Sequence, residues 1–417
     1  MLKKIKNLLH FFYAWYGAFK YKYPSEELLV IGITGTTGKS SVIHFLRQVL
    51  EQAGYIVGSL STVDFYVAGE EKLNDQKMTM LGKMQIQKYL RVMLDKKCDI
   101  AIVETTSEGR LQHRHQYINY DIIVLTNFYP EHIESHGSFE NYKQAKLDIF
   151  KYVSNCKVKR QGKVAIVNGQ SEYADEFLQF PFVQKLKFKV AEVKANKEGL
   201  SFSLAGVNYW APLYGEHNAE NLAAVVTIVK SLKVSEEKIK QAFKNLLSAP
   251  GRIEFISEAV KHGFQVIVDY AFEPVALQKL YEVVALIKPS GRIIHVCGST
   301  GGGRDKVRRR TIGQLVGERA NIFMVTDEDP YEENPQEIIK TVSKAAQEAG
   351  KKLGVDLFEI LDRKEAINKA IALAKTGDLV LVTGKGSEQA MCVKSGMIAW
   401  DDRQIVRESL KNKKITH

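Results

Sequence analysis

A glycine-rich loop between an apolar segment and an amphipathic segment constrains the fold of this chain most. Residues 31–41 read Ile-Gly-Ile-Thr-Gly-Thr-Thr-Gly-Lys-Ser-Ser, and apolar residues follow at helical spacing up to Leu50. Such a loop directs backbone N–H groups and a helix N-terminus at phosphate, and its lysine adds a positive charge. The hydroxyl after the lysine normally holds Mg²⁺. The predicted phosphate-binding residues are Gly35, Thr36, Thr37, Gly38, Lys39, Ser40 and Ser41.

The size and charge of the chain limit the classes of function. Its 417 residues are enough for two or three domains of about 150 residues each. The net charge of +11 suits a nucleic acid, a membrane surface or polyanionic substrates, and a generally lysine-rich proteome would also produce it. Because no array of basic and aromatic residues accompanies the charge, we expect no nucleic-acid partner. No apolar run of about 18 residues is present, so no membrane-spanning helix is expected.

The cysteines indicate a reducing compartment. Cys98, Cys156, Cys297 and Cys392 are far apart, and no pair has the spacing of a zinc site or a redox motif. We therefore expect reduced thiols in a cytoplasmic protein.

The first 24 residues combine lysines with regularly spaced apolar residues. Five lysines precede the first acid, Glu26, and apolar residues recur at near-helical spacing from Leu2 to Phe19. A signal peptide is not expected, because His10 interrupts the apolar stretch and no small-residue cleavage site follows. Two interpretations of residues 1–24 stay open: a helix packed on the protein, or a basic amphipathic helix in peripheral contact with anionic lipid.

Strand and helix patterns alternate twice along the chain. The first alternation follows the glycine loop to about residue 249, and the second runs from about 264 to 383, after the turn-rich segment 248–252. Such alternation predicts an α/β fold with parallel, doubly wound sheets. We therefore expect an N-terminal amphipathic helix at 1–27, a central P-loop-type ATPase domain at 28–249 and a Rossmann-like domain at 250–417.

Three further side chains suit ATP chemistry. Glu104 ends an apolar strand and is placed to hold Mg²⁺ together with Ser40, although a capping or ion-paired glutamate would look the same. His132 follows another strand end as a candidate metal or phosphate ligand. Lys146 shares a helix face with Tyr142, so it is either a half-buried reactive lysine or one that extends its amine to solvent.

Two further segments carry candidate ligand-binding groups. Asn218 and Asn221 open a helix, where the first could cap the helix and either could contact a base edge. The stretch from Gly298 to Lys306 is rich in glycine and contains Arg304, which indicates either a phosphate site or a structural turn. With two phosphate-type sites, the residues favour phosphoryl transfer from ATP.

An ordered series of motifs makes the chain similar to a known family. The loop does not fit the general phosphate-loop pattern G-x-x-x-x-G-K-[ST], because Ile33 stands at the position of its first glycine. It fits the motif Gly-Thr-x-Gly-Lys-Ser, which is found in fewer proteins. The chain resembles the Mur ligases, most of all the MurE type that adds the third stem-peptide residue of peptidoglycan. The other matching motifs are Thr126-Asn127, Glu131-His132, His136-Gly137, Asn141-Tyr142, Ala145-Lys146, Gly215-x-His-Asn-x-x-Asn221, Gly251-Arg-x-Glu254, Asp269-Tyr-Ala271, Gly303-Arg-Asp305, Asp329-Pro330, Gly384-Lys-Gly386 with Glu388, and Trp400-Asp-Asp-Arg403.

The resemblance implies an ATP-dependent ligase that forms an acyl phosphate on a carboxylate and then an amide with an amino acid. It implies that Lys39 binds the β- and γ-phosphates and that Ser40 and Glu104 hold one Mg²⁺. His132 and a carbamylated Lys146 would serve a second Mg²⁺. The implied nucleotide contacts elsewhere are Asn218, Asn221, Arg252, Asp269 and Arg304.

The resemblance also implies two substrates, a UDP-N-acetylmuramoyl-dipeptide-like acceptor and a free amino acid. The implied substrate-binding residues are Thr106, Ser107, Arg114, Asp329, Pro330, Tyr331, Gly384 and Glu388.

Four departures from the family pattern bear on those substrates. The usual N-terminal UDP-binding domain is not expected, since only about 27 residues precede the loop strand. Glu108 and Phe272 stand where the family has histidine. Tyr331 stands where diaminopimelate enzymes carry arginine, so a bidentate carboxylate clamp is missing, and the acidic neighbours suit a cationic amino acid such as lysine.

Two other functions stay open from the sequence. One is a Mur-type ligase with a different acceptor, of the folylpolyglutamate or cyanophycin kind. The other is a non-catalytic nucleotide-binding partner of a cell-wall complex, which the presence of Lys39, Glu104, His132 and Lys146 disfavours.

Overall fold

The protein divides into two compact units, Met1–Leu247 and Ser248–His417. The computed structural model describes residues 2–76, 78–129, 136–159, 162–303 and 306–413, with side chains from residue 9 onward. The predicted α/β architecture is confirmed in both units. The boundaries expected near residues 27 and 249 stay a prediction.

The first unit is built on an eight-stranded sheet. Its order is β4-β3-β2-β5-β1-β6-β7-β8, and the six strands from β2 to β8 in that order run parallel. The strand β1 lies at the centre, so the glycine loop leaves the sheet between two neighbours, as ligand sites in such folds do. The strands are β1 (Leu29–Thr34), β2 (Val57–Leu60), β3 (Asp64–Val67), β4 (Glu70–Leu73), β5 (Ile100–Glu104), β6 (Ile122–Leu125), β7 (Val164–Asn168) and β8 (Gln184–Phe188).

Helices cover both faces of this sheet, because its central strands are apolar on both sides. A separate antiparallel sheet, β9 (Val190–Asn196), β10 (Gly199–Leu204) and β11 (Val207–Ala211), packs against the same core. The helices of the first unit are α1 (Leu2–Lys20), α2 (Lys39–Gln52), α3 (Lys83–Asp95), α4 (Ser107–Leu111), α5 (Phe139–Ser154), α6 (Ala174–Phe177), α7 (His217–Ser231) and α8 (Glu236–Phe243).

The N-terminal helix α1 packs on α3 through small residues. Ala14 and Ala18 are buried, and a Cβ at Gly17 would lie 3.1 Å from the Cα of Met84. The amine of Lys83 lies 2.6 Å from Nδ1 of His10. Small side chains allow this close approach, so one face of α1 is part of the first unit. None of the described helices is both long enough and apolar enough to pass through a bilayer.

The second unit has a six-stranded sheet in the order β12-β13-β17-β14-β15-β16, in which β12 alone is antiparallel to its neighbour. Its buried strands carry the apolar side chains of the second core. The strands are β12 (Glu254–Phe255), β13 (Gln265–Asp269), β14 (Ile293–Cys297), β15 (Ile322–Val325), β16 (Leu357–Glu359) and β17 (Leu379–Thr383), with the hairpin β18 (Ala390–Val393) and β19 (Gly396–Ala399). The helices are α9 (Pro274–Ile287), α10 (Val307–Arg319), α11 (Pro335–Glu348), α12 (Arg363–Leu373) and α13 (Asp402–Asn412).

Candidate active site

The glycine loop lies at the carboxyl edge of the eight-stranded sheet and is held by the end of β6. The side chain of Asn127 accepts hydrogen bonds from the backbone N–H groups of Thr36 (3.1 Å) and Thr37 (2.9 Å). The hydroxyl of Thr126 donates to the carbonyl of Thr37 at 2.7 Å. A Cβ at Gly35 would overlap that hydroxyl, so the chain needs glycine here. The sequence analysis placed Asn127 in a motif but did not predict that its side chain holds the glycine loop.

Lys39 begins α2 and folds back over its own loop. Its amine donates to the carbonyl oxygens of Gly35 (3.1 Å) and Thr36 (2.8 Å). The adjacent Gly38 caps the helix in the left-handed conformation, at φ 78°. The lysine charge and the helix N-terminus therefore lie at the same loop, which is the arrangement that binds phosphate. Ser41 lies in the first turn of the same helix.

Ser40 and Glu104 come together as expected from the strand ends. The hydroxyl of Ser40 donates to the carboxylate of Glu104 at 3.0 Å. Thr62, which the sequence analysis missed, donates to the same carboxylate oxygen through its N–H (2.7 Å) and its hydroxyl (3.0 Å). The oxygen atoms of Ser40 and Glu104 are hard metal ligands. They suit Mg²⁺, which takes one or two protein ligands and completes its coordination shell with phosphate and water. No larger cluster of three His, Cys, Asp or Glu side chains is present among the described residues.

Lys146 lies on α5 and reaches the same loop from the opposite side. It is 2% exposed, and its amine donates to the carbonyl of Gly35 at 2.9 Å and to the hydroxyl of Thr34 at 3.4 Å. The amine also lies 4.9 Å from the ring centre of Tyr142. The hydroxyl of Tyr142 in turn forms a 3.0 Å hydrogen bond with the hydroxyl of Thr36. The amine is therefore buried at the phosphate loop, and the interpretation of Lys146 as a solvent-extended surface lysine is wrong.

A cavity of about 250 Å³ opens beside the loop, and Lys39 and Lys146 line it. Ser107 and His136 face each other across its wall, with the serine hydroxyl 3.1 Å from Nε2 of the histidine. The guanidinium of Arg114 is fixed by the side chain of Gln112, at 2.7 Å and 3.1 Å. Thr106, another predicted substrate contact, caps α4 by accepting from the N–H of Gly109. The cavity thus brings together three of the predicted substrate-binding residues.

Asn218 and Asn221 form a small network on α7 under the glycine loop. Asn221 donates to the amide oxygen of Asn218 at 2.9 Å, and Asn218 donates to the carbonyl of Tyr214 at 2.8 Å. A Cβ at Gly38 would overlap the amide oxygen of Asn221. Both side chains are buried and support the loop, and their contact with adenine stays a prediction.

In the second unit, Asp269 holds two backbone segments together. Its carboxylate accepts from the N–H groups of Ile253 (2.7 Å) and Ala271 (2.8 Å). Burial raises the pKa of Asp269, and the nearby charge of Arg252 opposes that rise. The guanidinium of Arg252 lies 4.2 Å from the ring centre of Tyr270. Nucleotide contacts of both residues stay a prediction.

The predicted amino-acid motif of the second unit surrounds a buried lysine, Lys385, to which the sequence analysis gave no role of its own. Lys385 donates to the carboxylate of Asp329 at 2.7 Å and also to that of Glu388. Gly384 precedes it at φ 113°, where a Cβ would overlap the carboxylate of Glu328. A cavity of about 640 Å³ next to this network is lined by Pro330, Tyr331, Glu332, Glu333 and Lys394, among others.

Glu328 lies beside this network with its carboxyl fully buried. Burial raises its pKa to about 7, against the opposing charges of Arg363 and Lys385. In the unfolded chain the carboxyl ionises near pH 4.5, so between these values the folded protein binds more protons than the unfolded one. The contribution of Glu328 to stability therefore falls as pH rises through this window.

We expect Glu328→Gln to remove this pH dependence, because the amide does not ionise. Relative to the parent chain, the free energy of unfolding of the variant should rise by about 3 kcal/mol from about pH 4 to about pH 8. Urea unfolding of both proteins across that range measures the difference. If the difference in unfolding free energy between the two proteins stays constant with pH, the raised pKa of Glu328 is contradicted.

Two predicted site residues, His132 and Arg304, lie outside the described residues.

The chain matches two family models. Residues 33–229 match the Mur ligase middle domain, and residues 251–386 match the model described as Mur ligase, glutamate ligase domain. A UDP-N-acetylmuramyl-tripeptide synthetase of Borreliella burgdorferi is 33% identical over 407 residues, which cover 94% of this chain and 78% of that protein. The chain belongs to the Mur ligase family. Members of this family are ATP-dependent amino acid ligases.

Further proteins match this chain in sequence or in fold. The UDP-N-acetylmuramoyl-L-alanyl-D-glutamate–2,6-diaminopimelate ligase 1 of Clostridium acetobutylicum is 30% identical, over 95% of this chain and 80% of that protein. A solved structure of a ligase with that same activity is 25% identical, with a TM-score of 0.62 over 92% of this chain and 78% of that one. Folylpolyglutamate synthase of Mycobacterium tuberculosis shares the fold, with a TM-score of 0.68 at 17% identity, over 90% of this chain and 92% of that one.

Proposed function

We propose that this Mur ligase adds an amino acid to UDP-N-acetylmuramoyl-L-alanyl-D-glutamate in peptidoglycan precursor synthesis. The observation that carries the proposal is the convergence of Lys39, the Ser40–Glu104 pair and Lys146 on one glycine loop beside a cavity that contains Ser107 and Arg114. Relatives with tripeptide-synthetase and diaminopimelate-ligase activities support this acceptor. The four cysteines are free thiols, in keeping with a reaction in the cytoplasm.

The glycine loop would activate the acceptor carboxylate with ATP. Lys39 would leave its loop carbonyls and neutralise charge on the β- and γ-phosphates, while the N-terminus of α2 donates N–H groups to them. Ser40 and Glu104 would hold Mg²⁺, which supplies charge neutralisation to the phosphates. The acceptor carboxylate would displace ADP to form the acyl phosphate, and the amine of the amino acid would then release phosphate and form the amide.

Lys146 would act as a carbamate. A neutral lysine amine attacks CO₂ and loses a proton, which converts a cation into an anion that can serve as a metal ligand. This step needs the amine in its neutral form. The location of the amine at the Gly35 carbonyl would place the carbamate next to the γ-phosphate.

The cavity would bind the acceptor peptide. Gln112 and the carbonyl of Met80 hold the guanidinium of Arg114 in place, and its remaining N–H groups suit a carboxylate. Ser107 adds a hydroxyl that is oriented by His136. Together they would position the carboxylate that receives phosphate.

The added amino acid would have a cationic side chain without a second carboxylate, and lysine fits best. Glu332 lines the cavity of the second unit, where its charge attracts an ammonium group, whereas Glu333 in the same lining is already paired with Arg309 at 2.9 Å. Tyr331 offers no guanidinium to hold the extra carboxylate of meso-diaminopimelate.

Phosphate release tests the proposed function. The purified chain with ATP, Mg²⁺ and the muramoyl dipeptide should release phosphate only when an amino acid is added, and faster with L-lysine than with meso-diaminopimelate. The matched control omits the dipeptide. Turnover with a pteroyl-glutamate acceptor instead would favour a ligase of the folylpolyglutamate kind, and nucleotide binding without turnover would favour a non-catalytic partner.

A further inference from the structure

The outward face of α1 is a stripe of exposed aromatic side chains. Phe12, Trp15, Tyr16 and Phe19 occupy helical positions i, i+3, i+4 and i+7, and they are 51%, 38%, 40% and 60% exposed. Their rings contact one another, with Phe12 to Trp15 at 5.6 Å and Trp15 to Phe19 at 5.8 Å between centroids. A contiguous exposed patch of this kind marks an interaction surface. We call these four residues the aromatic stripe.

The inward face of the same helix already has its partner. Ala14, Gly17 and Ala18 are buried against α3. Phe11 contacts the rings of His113 and Tyr117, at 6.0 Å and 5.7 Å between centroids. The helix is therefore anchored to the first unit with the aromatic stripe directed away from it, which confirms the packed-helix interpretation for its inward face. Lipid contact of the outward face stays a prediction.

The positive charge around the aromatic stripe favours a negatively charged partner. Residues 1–25 contain no Asp or Glu, and their five lysines are Lys3, Lys4, Lys6, Lys20 and Lys22. Lys20 follows the stripe directly and is exposed. Aromatic side chains at the level of lipid headgroups, with lysines beside them, are the pattern of helices that lie in the plane of a membrane interface.

We propose that α1 docks the protein on an anionic lipid bilayer through the aromatic stripe. The aromatic rings insert among the headgroups, and the lysines bind the negative surface. A second copy of the chain is a poorer occupant, because pairing two stripes would bring together two segments that carry lysines and no acids. The first unit would thus work at the membrane surface.

Vesicle co-sedimentation of the full chain tests this docking. Phosphatidylcholine vesicles that contain phosphatidylglycerol should bind the protein, pure phosphatidylcholine vesicles should bind it weakly, and high salt should release it. The double substitution Phe12→Ser with Phe19→Ser should lower the partition coefficient by at least about tenfold. Trp210→Ser is the matched control, because Trp210 is an aromatic residue of similar exposure, 42%, on β11.

A spectroscopic readout places the contact on α1. Trp15 emission should shift to shorter wavelength when anionic vesicles are added, and Trp15→Phe should lose most of that shift while still binding. The double variant should keep the melting temperature and the amino-acid-dependent ATP turnover of the parent, so a failed ligase assay and a failed docking assay are separate results. The proposal is overturned if the parent chain does not bind anionic vesicles or if the double variant binds as the parent does. A lipid-free dimer that the double variant abolishes would also overturn it and assign the stripe to self-association.

Discussion

Lys39→Ala is expected to lower kcat for ligation by about 10²–10³-fold, because it removes the cation that meets the charge of the transferring phosphoryl group. The fold should survive, since Lys39 contacts carbonyl groups of its own partly exposed loop. Steady-state phosphate release and a thermal melt of the same preparation measure both effects.

Lys96→Ala is the matched control for this substitution. Lys96 forms a surface ion pair with Glu70 at 2.9 Å, far along the sheet from the glycine loop. Its removal should change neither turnover nor stability by more than about 0.5 kcal/mol. Full activity of Lys39→Ala would contradict the phosphate site and leave the loop as a structural turn.

Lys146→Ala is expected to abolish most ligation, with a loss of about 10²-fold or more. If the amine acts as a carbamate, short-chain carboxylic acids should restore part of the activity, because their carboxylate can occupy the space of the lost group. Phosphate release with and without added acetate or propionate measures the rescue.

Lys143 provides the control on the same helix. It lies one turn before Lys146 and pairs with Glu140 and Glu176, both at 3.3 Å, so Lys143→Ala should retain activity and gain nothing from acids. Full activity of Lys146→Ala without acids would remove the carbamate from the mechanism. Loss of activity without rescue, in a variant that melts as the parent does, would leave Lys146 as a cation at the loop.

The sequence predicted the first unit well where local pattern and topology agree. Glycine spacing located the loop, and parallel strands bring their carboxyl ends to one edge, so Glu104 could be placed near Ser40 before any coordinates. Thr62 could not be found in this way, because it lies in a turn after a four-residue strand and has no motif of its own.

Other features depend on tertiary packing that a single sequence does not reveal. Asn218 and Asn221 were predicted to cap a helix or to contact a base edge, but their burial under the loop follows from the packing of α7 and has no signal in the sequence. Lys385 lies between two matched glycines, yet its burial with Asp329 and Glu388 depends on the ends of separate strands. The lysine and aromatic pattern of α1 suited both packing and lipid, because packing on α3 uses one face of the helix and leaves the aromatic face exposed.

Mass spectrometry of the reaction product tests the proposed ligation most directly. The reaction would contain the purified chain, ATP, Mg²⁺, UDP-N-acetylmuramoyl-L-alanyl-D-glutamate and a pool of free amino acids. The expected product is the acceptor plus one amino-acid residue, with a mass that identifies lysine. An unchanged acceptor, in a preparation that binds ATP and turns over with another acceptor, would contradict the proposed substrate.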